Sequence, residues 1–264
     1  MMPFFSIIVT CLNAEKTIVP TIQSVLSQTF TDYEIVVKDG GSKDKTVSLV
    51  PQDNRIRVIV KKDNGIYAGM NQAILESNGK YCCFLNCGDV FWNGQVLENM
   101  YAFLQENQNI SIAYGNYYTK GKFVQTPVKT TRFSIYRNPL CHQTMFIERK
   151  LFNDYGLYKE DMKILADYEF TIHCLNEGVF CQNSGVTVCS YLGDGVSTQQ
   201  KYRKIMHDEN KRVKSTYFSV FEQIKFNVMI ACTFPRIRKY LASEKAPKSL
   251  HSLYNRFSNA IKRN

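Results

Sequence analysis

The sequence predicts an α/β protein with a mainly parallel, mixed sheet flanked by helices, followed by a basic helical C-terminal extension. Three observations predict it. Between Phe5 and Asp89, short apolar runs rich in β-branched residues alternate with stretches of helical periodicity, the pattern of β-α-β units. Each run is stopped by a polar residue, at Asn13, Asp39, Asp63 and Asp89. The charge is divided: residues 1–200 carry 18 Lys+Arg against 19 Asp+Glu, whereas residues 201–264 carry 15 against 4. The expected organisation is a near-neutral body over 1–200 and a basic appendage over 201–264 that meets something anionic.

The first strand is FSIIVTCLN, Phe5–Asn13, an uninterrupted run of the kind buried on both faces of a parallel sheet. In AEKTIVPTIQSVLSQTF, Ile18, Ile22, Val25 and Leu26 fall at helical spacing, and Pro20 sits near the start, where a missing amide costs least. YEIVVKD, Tyr33–Asp39, is a second strand, and Lys45–Val50 fits a short helix. Ile56–Asp63 follows as a third strand, Gly65–Ser77 as a helix and Lys80–Asp89 as a fourth strand. Such sheets bind ligands beyond the carboxyl ends of their strands, so the polar residues that stop the strands are expected along one edge.

Farther on, ISIAYGNYYT, KFVQTP and HQTMFIERKLF read as strands and a helix start, and LADYEFTIHCLNEG as an amphipathic helix. FCQNSGVTVCSYL offers two short strands, and Gly193–Thr198 forms a Gly-rich loop with room to move. From Lys201 the pattern turns helical and basic, broken around Pro235 and Pro247.

Composition excludes several classes. An apolar fraction of 44% over 264 residues supports a sizeable core, and neither low-complexity tracts nor a fixed-period repeat are present. No run of about 18 apolar residues exists, so no membrane-crossing helix is expected. The N-terminal MMPFFSIIVTCLN lacks a basic leader and reads as a buried strand, which points to the cytoplasm. Nine cysteines without a CxxC pair argue against a disulfide framework or structural zinc, and fit small buried thiols. The basic tail lacks a recognisable nucleic-acid-binding motif, so nucleic acid is not an expected partner. Neither a P-loop nor a GxGxxG opening a helix occurs.

Four groups of residues could carry chemistry. Asp39, in Asp39-Gly40-Gly41-Ser42, could accept hydrogen bonds from a uracil imide or a ribose hydroxyl; the alternative is an ordinary strand-to-helix turn. Asp89, in FLNCGD beside Asn86, suits Mg²⁺ or Mn²⁺, which take one or two carboxylates and complete their shell with phosphates. Asp167 and Glu169 do not share a helix face, so they are not a paired site. Asp167 alone could act as a general base, or serve only to complement the helix dipole. His142 and Gln143 could line an acceptor pocket, or His142 could be structural. A Cys141–His142 nucleophile pair is ruled out if they are strand neighbours, whose side chains point to opposite faces.

Taken in order, these pieces resemble the family 2 glycosyltransferases with the GT-A nucleotide-sugar-binding fold, over roughly residues 4–200. FSIIVTCLNAEKTI is similar to that family's opening strand and loop, and QSVLSQTFTDYEIVVKDGGSKDKT to its helix, second strand and donor-binding turn. KDNGIYAGMNQAI and NGKYCCFLNCGD are similar to the stretch leading into its metal motif, and NPLCHQTMFIERKLF and LADYEF continue in the expected order. The resemblance implies a catalytic domain over 1–200 that transfers a sugar from a nucleoside-diphosphate sugar, UDP by analogy, to an acceptor hydroxyl with inversion. It implies that Thr10, Leu12 and Asn13 border the nucleotide and that Asp39 holds the base or ribose. Asp63, Asn71 and Asn86 would lie along the donor, Asp89 would ligate Mn²⁺ or Mg²⁺, and Asp167 would be the base.

Two departures stand out. The family's Asp-x-Asp-Asp cluster is Asn86-Cys87-Gly88-Asp89, with one carboxylate left, and the Glu that precedes the base is Ala166. The thinned cluster keeps a non-catalytic nucleotide-sugar-binding or scaffold protein of the same fold as the alternative. A nucleotidyltransferase is disfavoured because TCLNAEKTI has neither Gly nor Arg. The resemblance also implies a glycan or polyprenyl-diphosphate-linked acceptor in surface polysaccharide synthesis. Tyr202, Tyr217, Phe218, Phe221, Phe226, Phe234, Tyr240, Tyr254 and Phe257, interleaved with basic residues, allow peripheral contact with the inner face of the plasma membrane; packing on the body is the other reading.

Overall fold

The computed structural model describes residues 2–191, 193, 199–233 and 247. The chain divides into two compact units, Met1–Thr130 with Leu140–Asn210, and Thr131–Pro139 with Lys211–Asn264. The expected break at Pro235, residues 194–198 of the Gly-rich loop, and Phe234, Tyr240, Tyr254 and Phe257 lie outside the described residues.

The first unit is built on strands β1 (Phe5–Cys11), β2 (Tyr33–Asp39), β3 (Ile56–Val60), β4 (Tyr81–Asn86), β5 (Val90–Phe91), β6 (Ile112–Thr119), β7 (Lys122–Val124), β8 (Phe146–Glu148) and β9 (Cys181–Tyr191). They form a mixed sheet in the order β3-β2-β1-β4-β8-β6-β9-β5, with β7 on β6. β3, β2, β1 and β4 are parallel, and β8 is antiparallel to both β4 and β6. β1, β2 and β4 are buried along nearly their whole length, which is why they read as continuous apolar runs. β3 is the edge strand, and its partly exposed residues include Arg57, which pairs with Glu34.

Helices cover the sheet. α1 (Ile18–Leu26) buries Ile18, Thr21, Ile22 and Val25 against a core that includes Phe5, Ile7, Val9, Ile35, Val37 and Leu85. Each fully buried Ile or Val of this set contributes about 1.5–3 kcal/mol over leaving it exposed. α2 (Ile66–Glu76) lies against β1 and β2, and α3 (Val96–Glu106) adds Val96, Leu97 and Met100 to the core. α5 (Lys150–Asp154) and α6 (Ala166–Asn176) complete the unit with the first part of α7 (Arg203–Tyr217).

Several expectations are corrected. Lys45–Val50 is not an α-helix but a single 3-10 turn, Val47–Leu49. Asp44 accepts from both the amide and the hydroxyl of Thr46, and that hydroxyl accepts the Ala14 amide, so side chains take over bonds a helix would use. The third and fourth strands end early, at Val60 and Asn86, and Gly88 turns the chain with φ +105. Cys181–Tyr191 is one strand rather than two, its pairing with β6 interrupted by register shifts around Asn116, with Gly185 at φ +78. α6 is not amphipathic: seven of its eleven residues are buried, including Tyr168, Phe170 and Ile172.

In the second unit, the described part comprises α4 (Arg132–Arg137), the end of α7 and α8 (Val220–Thr233). Thr131 and Ser134 form a capping box at α4. The Tyr136 ring meets Phe218 and Phe226 edge-on or tilted, and Lys214 lies over it at 4.0 Å. Arg132 pairs with Glu222 at 2.8 Å. On α8, Val220, Phe221, Ile224 and Val228 are exposed at 73%, 76%, 60% and 37%. No helix among the described residues is long and apolar enough to cross a membrane.

Candidate active site

The strand order changes direction between β1 and β4: β2 and β3 lie on one side of β1, and β4 on the other. A crevice opens at such a switch point, beyond the carboxyl ends of the strands. Register places Thr10 opposite Asn86 and Cys11 opposite Asp39, so three strand ends deliver polar side chains to this one edge.

The β2 end is held by its own turn. Asp39 is fully buried; Oδ1 accepts the amides of Gly41 and Ser42, each at 2.8 Å, and Oδ2 accepts the Ser42 hydroxyl and the Cys11 thiol. Burial pushes its pKa up, but the hydrogen bonds from Ser42, Gly41 and Cys11 outweigh that and hold the carboxyl below its ordinary value. Gly41 has φ +96, a conformation that suits glycine. The Asn13 amide donates to the Ser42 hydroxyl at 2.7 Å and the Asn13 side chain accepts the Lys43 amide, tying the β1 loop to this turn, while Leu12 is exposed.

Asp63 sits beside the same turn. Its Oδ2 pairs at 2.8 Å with Lys38 Nζ, which also donates to the carbonyls of Asp39 and Lys61. A Cβ at Gly40 or Gly69 would stand 3.0 Å from this carboxylate oxygen, so both glycines make room for it. Lys38 is buried beside the apolar run Ile35–Val37, and losing either member of such a pair leaves an uncompensated charge. Asn71 is buried too, and its amide bridges α2 to the 158–160 segment through Tyr158 O, Tyr158 N and Glu160.

The β4 end joins the rest. Thr10 Oγ1 donates to Asn86 Oδ1 at 3.1 Å, and Asn86 Nδ2 lies 3.1 Å from His142 Nε2. With its oxygen turned to Thr10, the Asn86 amide presents its NH₂ to His142, so Nε2 accepts and the ring proton sits on Nδ1. Nδ1 faces Asp167 Oδ2 at 3.5 Å. Asp89 Oδ2 accepts the Asn86 amide at 3.1 Å and Gln143 Nε2 at 3.2 Å. Thr10, Asn86, Asp89, His142, Gln143 and Asp167 thus form one connected network, although they come from β1, β4, a 3-10 turn at His142–Thr144 and α6.

Asp167 lies in the first turn of α6, 16% exposed, with Tyr67 Oη 2.7 Å from Oδ1. Burial pushes its pKa up; the hydrogen bonds from His142 and the Tyr67 hydroxyl outweigh it and keep the carboxyl below its ordinary value. Glu169 points elsewhere and pairs with Lys159. His142 and Cys141 do not lie on a strand, and Cys141 is still no nucleophile: burial pushes its thiol pKa up, and its Sγ donates to Gln143.

Three participants carried no obvious signal in the sequence. Tyr67 precedes Asn71 by one helical turn and faces the same way, a spacing that could have exposed it. Lys38 interrupts an apolar strand. Glu209, on α7, accepts the backbone amides of Lys163, Ile164 and Leu165 at 2.6, 3.0 and 3.0 Å. Leu165 offers no side-chain cap to α6, so this distant carboxylate supplies the anion that a helix start favours.

Among the described residues, no three His, Cys, Asp or Glu side chains come together as a cation cage. The donor set present is one carboxylate, Asp89, whose Oδ2 accepts the backbone amide of Asn86 just past the end of β4. That fits a hard divalent cation only where substrate phosphate oxygens complete the shell.

A mixed α/β sheet in this order, with helices on its faces, is the GT-A fold. The same fold is seen in Staphylococcus aureus TarS in complex with UDP-GlcNAc, with a TM-score of 0.68, 19% identity, and coverage of 91% of this chain and 76% of that chain. The family model for glycosyl transferase family 2 matches residues 6–159, and the chain belongs to that family. Among curated relatives, it is 33% identical over 193 residues to the Escherichia coli UDP-Glc:alpha-D-GlcNAc-diphosphoundecaprenol beta-1,3-glucosyltransferase WfgD, spanning 67% of this chain and 74% of that protein. It is 29% identical over 205 residues to a PGL/p-HBAD biosynthesis glycosyltransferase of Mycobacterium bovis, spanning 72% and 77%.

Proposed function

We propose that this glycosyltransferase moves a sugar from a UDP-sugar to a hydroxyl of a lipid-linked glycan, with inversion at the anomeric carbon. The observation that carries the reading is the network joining Asp89 to Asp167 through Asn86, Gln143 and His142. It joins the carboxylate assigned to the donor diphosphate, Asp89, to the partly buried carboxylate of Asp167, whose pKa lies below its ordinary value. Relatives whose names specify a diphosphoundecaprenol-linked acceptor, and a fold neighbour with bound UDP-GlcNAc, support the acceptor and donor classes.

The nucleotide is assigned to the edge formed by Thr10, Leu12, Asn13 and the Asp39 turn, with Asp63, Asn71 and Asn86 shaping the donor side. Asp89 and donor phosphate oxygens would hold Mn²⁺ or Mg²⁺, whose positive charge stabilises a departing nucleoside diphosphate. Asp167 accepts the proton of the acceptor hydroxyl as that oxygen attacks the face opposite the diphosphate. His142 and Gln143 line the acceptor side, His142 presenting Nδ1–H to the base.

Screening nucleotide sugars by thermal shift with Mn²⁺ tests the donor class. At 100 times its Kd, a UDP-sugar should stabilise the fold by about 2.7 kcal/mol. A panel in which no UDP-sugar raises the Tm would refute the assignment.

The exposed stripe Val220, Phe221, Ile224 and Val228, on a segment with an excess of basic residues, supports peripheral contact of the 201–264 extension with anionic lipid at the cytoplasmic face of the plasma membrane. Vesicles containing phosphatidylglycerol should carry the protein upward in a flotation gradient at low salt, and Phe221→Glu should weaken this. Sedimentation without the vesicles would remove the membrane from the reading.

A further inference from the structure

The Tyr67 hydroxyl oxygen lies 2.6 Å from the Ile164 carbonyl and 2.7 Å from Asp167 Oδ1. Both neighbours are acceptors when Asp167 is ionised, and a phenol has one proton to give. That proton goes to the charged oxygen, the stronger acceptor. The Ile164 carbonyl is then left against a phenol lone pair at hydrogen-bond distance.

The carbonyl is not at liberty to swing away. It shares its peptide unit with the Leu165 N–H, which donates to Glu209 Oε2 at 3.0 Å, and Glu209 also accepts the amides of Ile164 and Lys163. Tyr67 is itself only 7% exposed, its ring packed 5.6 Å from that of Tyr158. Both short contacts become hydrogen bonds in one state alone: Asp167 protonated on Oδ1 donates to the phenol oxygen, and the phenol donates to Ile164.

We propose that Tyr67 is a two-way positioning residue for the base, donating to the Asp167 carboxylate before transfer and turning its proton to the Ile164 carbonyl once Asp167 holds the acceptor's proton. This rests on the reading of Asp167 as the base. One proton leaves the acceptor hydroxyl and ends on Oδ1; the phenol proton only rotates, and no co-reactant is needed. Oδ2 is the poorer resting place, because it faces the Nδ1–H of His142. The site is thereby hydrogen-bonded in both protonation states of its base, and the charge-assisted bond to the ionised carboxylate is the stronger of the two.

The other titratable groups near the carboxyl are His142 from the 3-10 turn, the buried thiol of Cys141, and Tyr158 in the segment leading to α6. Burial pushes the Tyr67 and Tyr158 phenols well above their ordinary pKa, and Cys141 is raised in the same way, so none of the three ionises as Asp167 titrates. His142 is present in wild type and variant alike.

The test is the pH profile of kcat/KM for Tyr67→Phe. The base works only when ionised, so activity falls as pH drops through its pKa. Removing the phenol removes a bond made to the ionised form and raises that pKa. The acid limb should move upward by about one to two pH units, and kcat should fall by about 10–100-fold, with UDP affinity unchanged. Placing 3-fluorotyrosine at position 67, a stronger donor, should move the limb downward. A limb that stays in place in both variants overturns the switch, even if kcat drops. Asp167→Asn separates the two readings: wild-type activity in that variant removes the base, whereas loss of activity with an unmoved Tyr67→Phe limb leaves the base and removes the switch.

Discussion

Replacing Asp167 with asparagine should lower kcat by about 10²–10⁴-fold, the span contributed by a positioned general base. Asparagine has the same size, and its amide oxygen can still accept from Tyr67 Oη, which stands 2.7 Å from Oδ1. The fold and the crevice should therefore survive. An amide cannot take up the acceptor's proton, so the loss should appear in kcat and kcat/KM together while UDP binding by calorimetry stays within about twofold. An equal loss of UDP binding would mean that Asp167 holds the donor and does not deprotonate the acceptor. The wild-type acid limb should lie below the ordinary carboxylate range, since His142 and Tyr67 outweigh the effect of burial at this carboxyl.

The second large effect belongs to Asp89→Asn. The isosteric amide can still accept from Asn86 N and Gln143 Nε2, bonds now made at 3.1 and 3.2 Å by Oδ2. What goes is the negative charge, the one carboxylate in Asn86-Cys87-Gly88-Asp89. Lesser changes around a metal ligand cost 10–100-fold in affinity, so Mn²⁺-dependent binding of a UDP-sugar should fall by at least about that factor. Binding in excess chelator should be equally weak for wild type and variant. If chelation leaves wild-type binding intact, Asp89 is not holding a cation.

Much of the donor side of the fold was legible in the sequence because its cause is local. A strand buried on both faces shows a continuous apolar run, and Ile35-Val36-Val37 supplies it inside Tyr33–Asp39, whose expected and observed limits coincide. Lys45–Val50 misled for an equally local reason: residues of helical tendency lost their backbone bonds to Asp44 and Thr46 side chains. α3 was overlooked although its Val96, Leu97, Met100 and Leu104 spacing is helical.

The catalytic side was harder to read. His142, Asp167 and Gln143 stood out as residue types, but what surrounds them comes from far along the chain. Tyr67 meets the Ile164 carbonyl across 97 positions, and Glu209 meets the Lys163 amide across 46. Bonds from a side chain to a remote backbone group need no particular residue at the receiving end, so they leave no pattern to recognise. The extensive burial of α6 was hidden likewise, because Glu169 and Thr171 within it look polar yet are enclosed.

The reach of Glu209 bears on how this enzyme can be shortened or recombined. The segment that matches the family stops at residue 159, and a cut at residue 200 would retain every acid assigned to the reaction. Such a fragment would lack the one carboxylate that latches the loop before Asp167. Chimeras that exchange acceptor preference between relatives should place their junction after Asn210, so that each catalytic loop keeps its own latch.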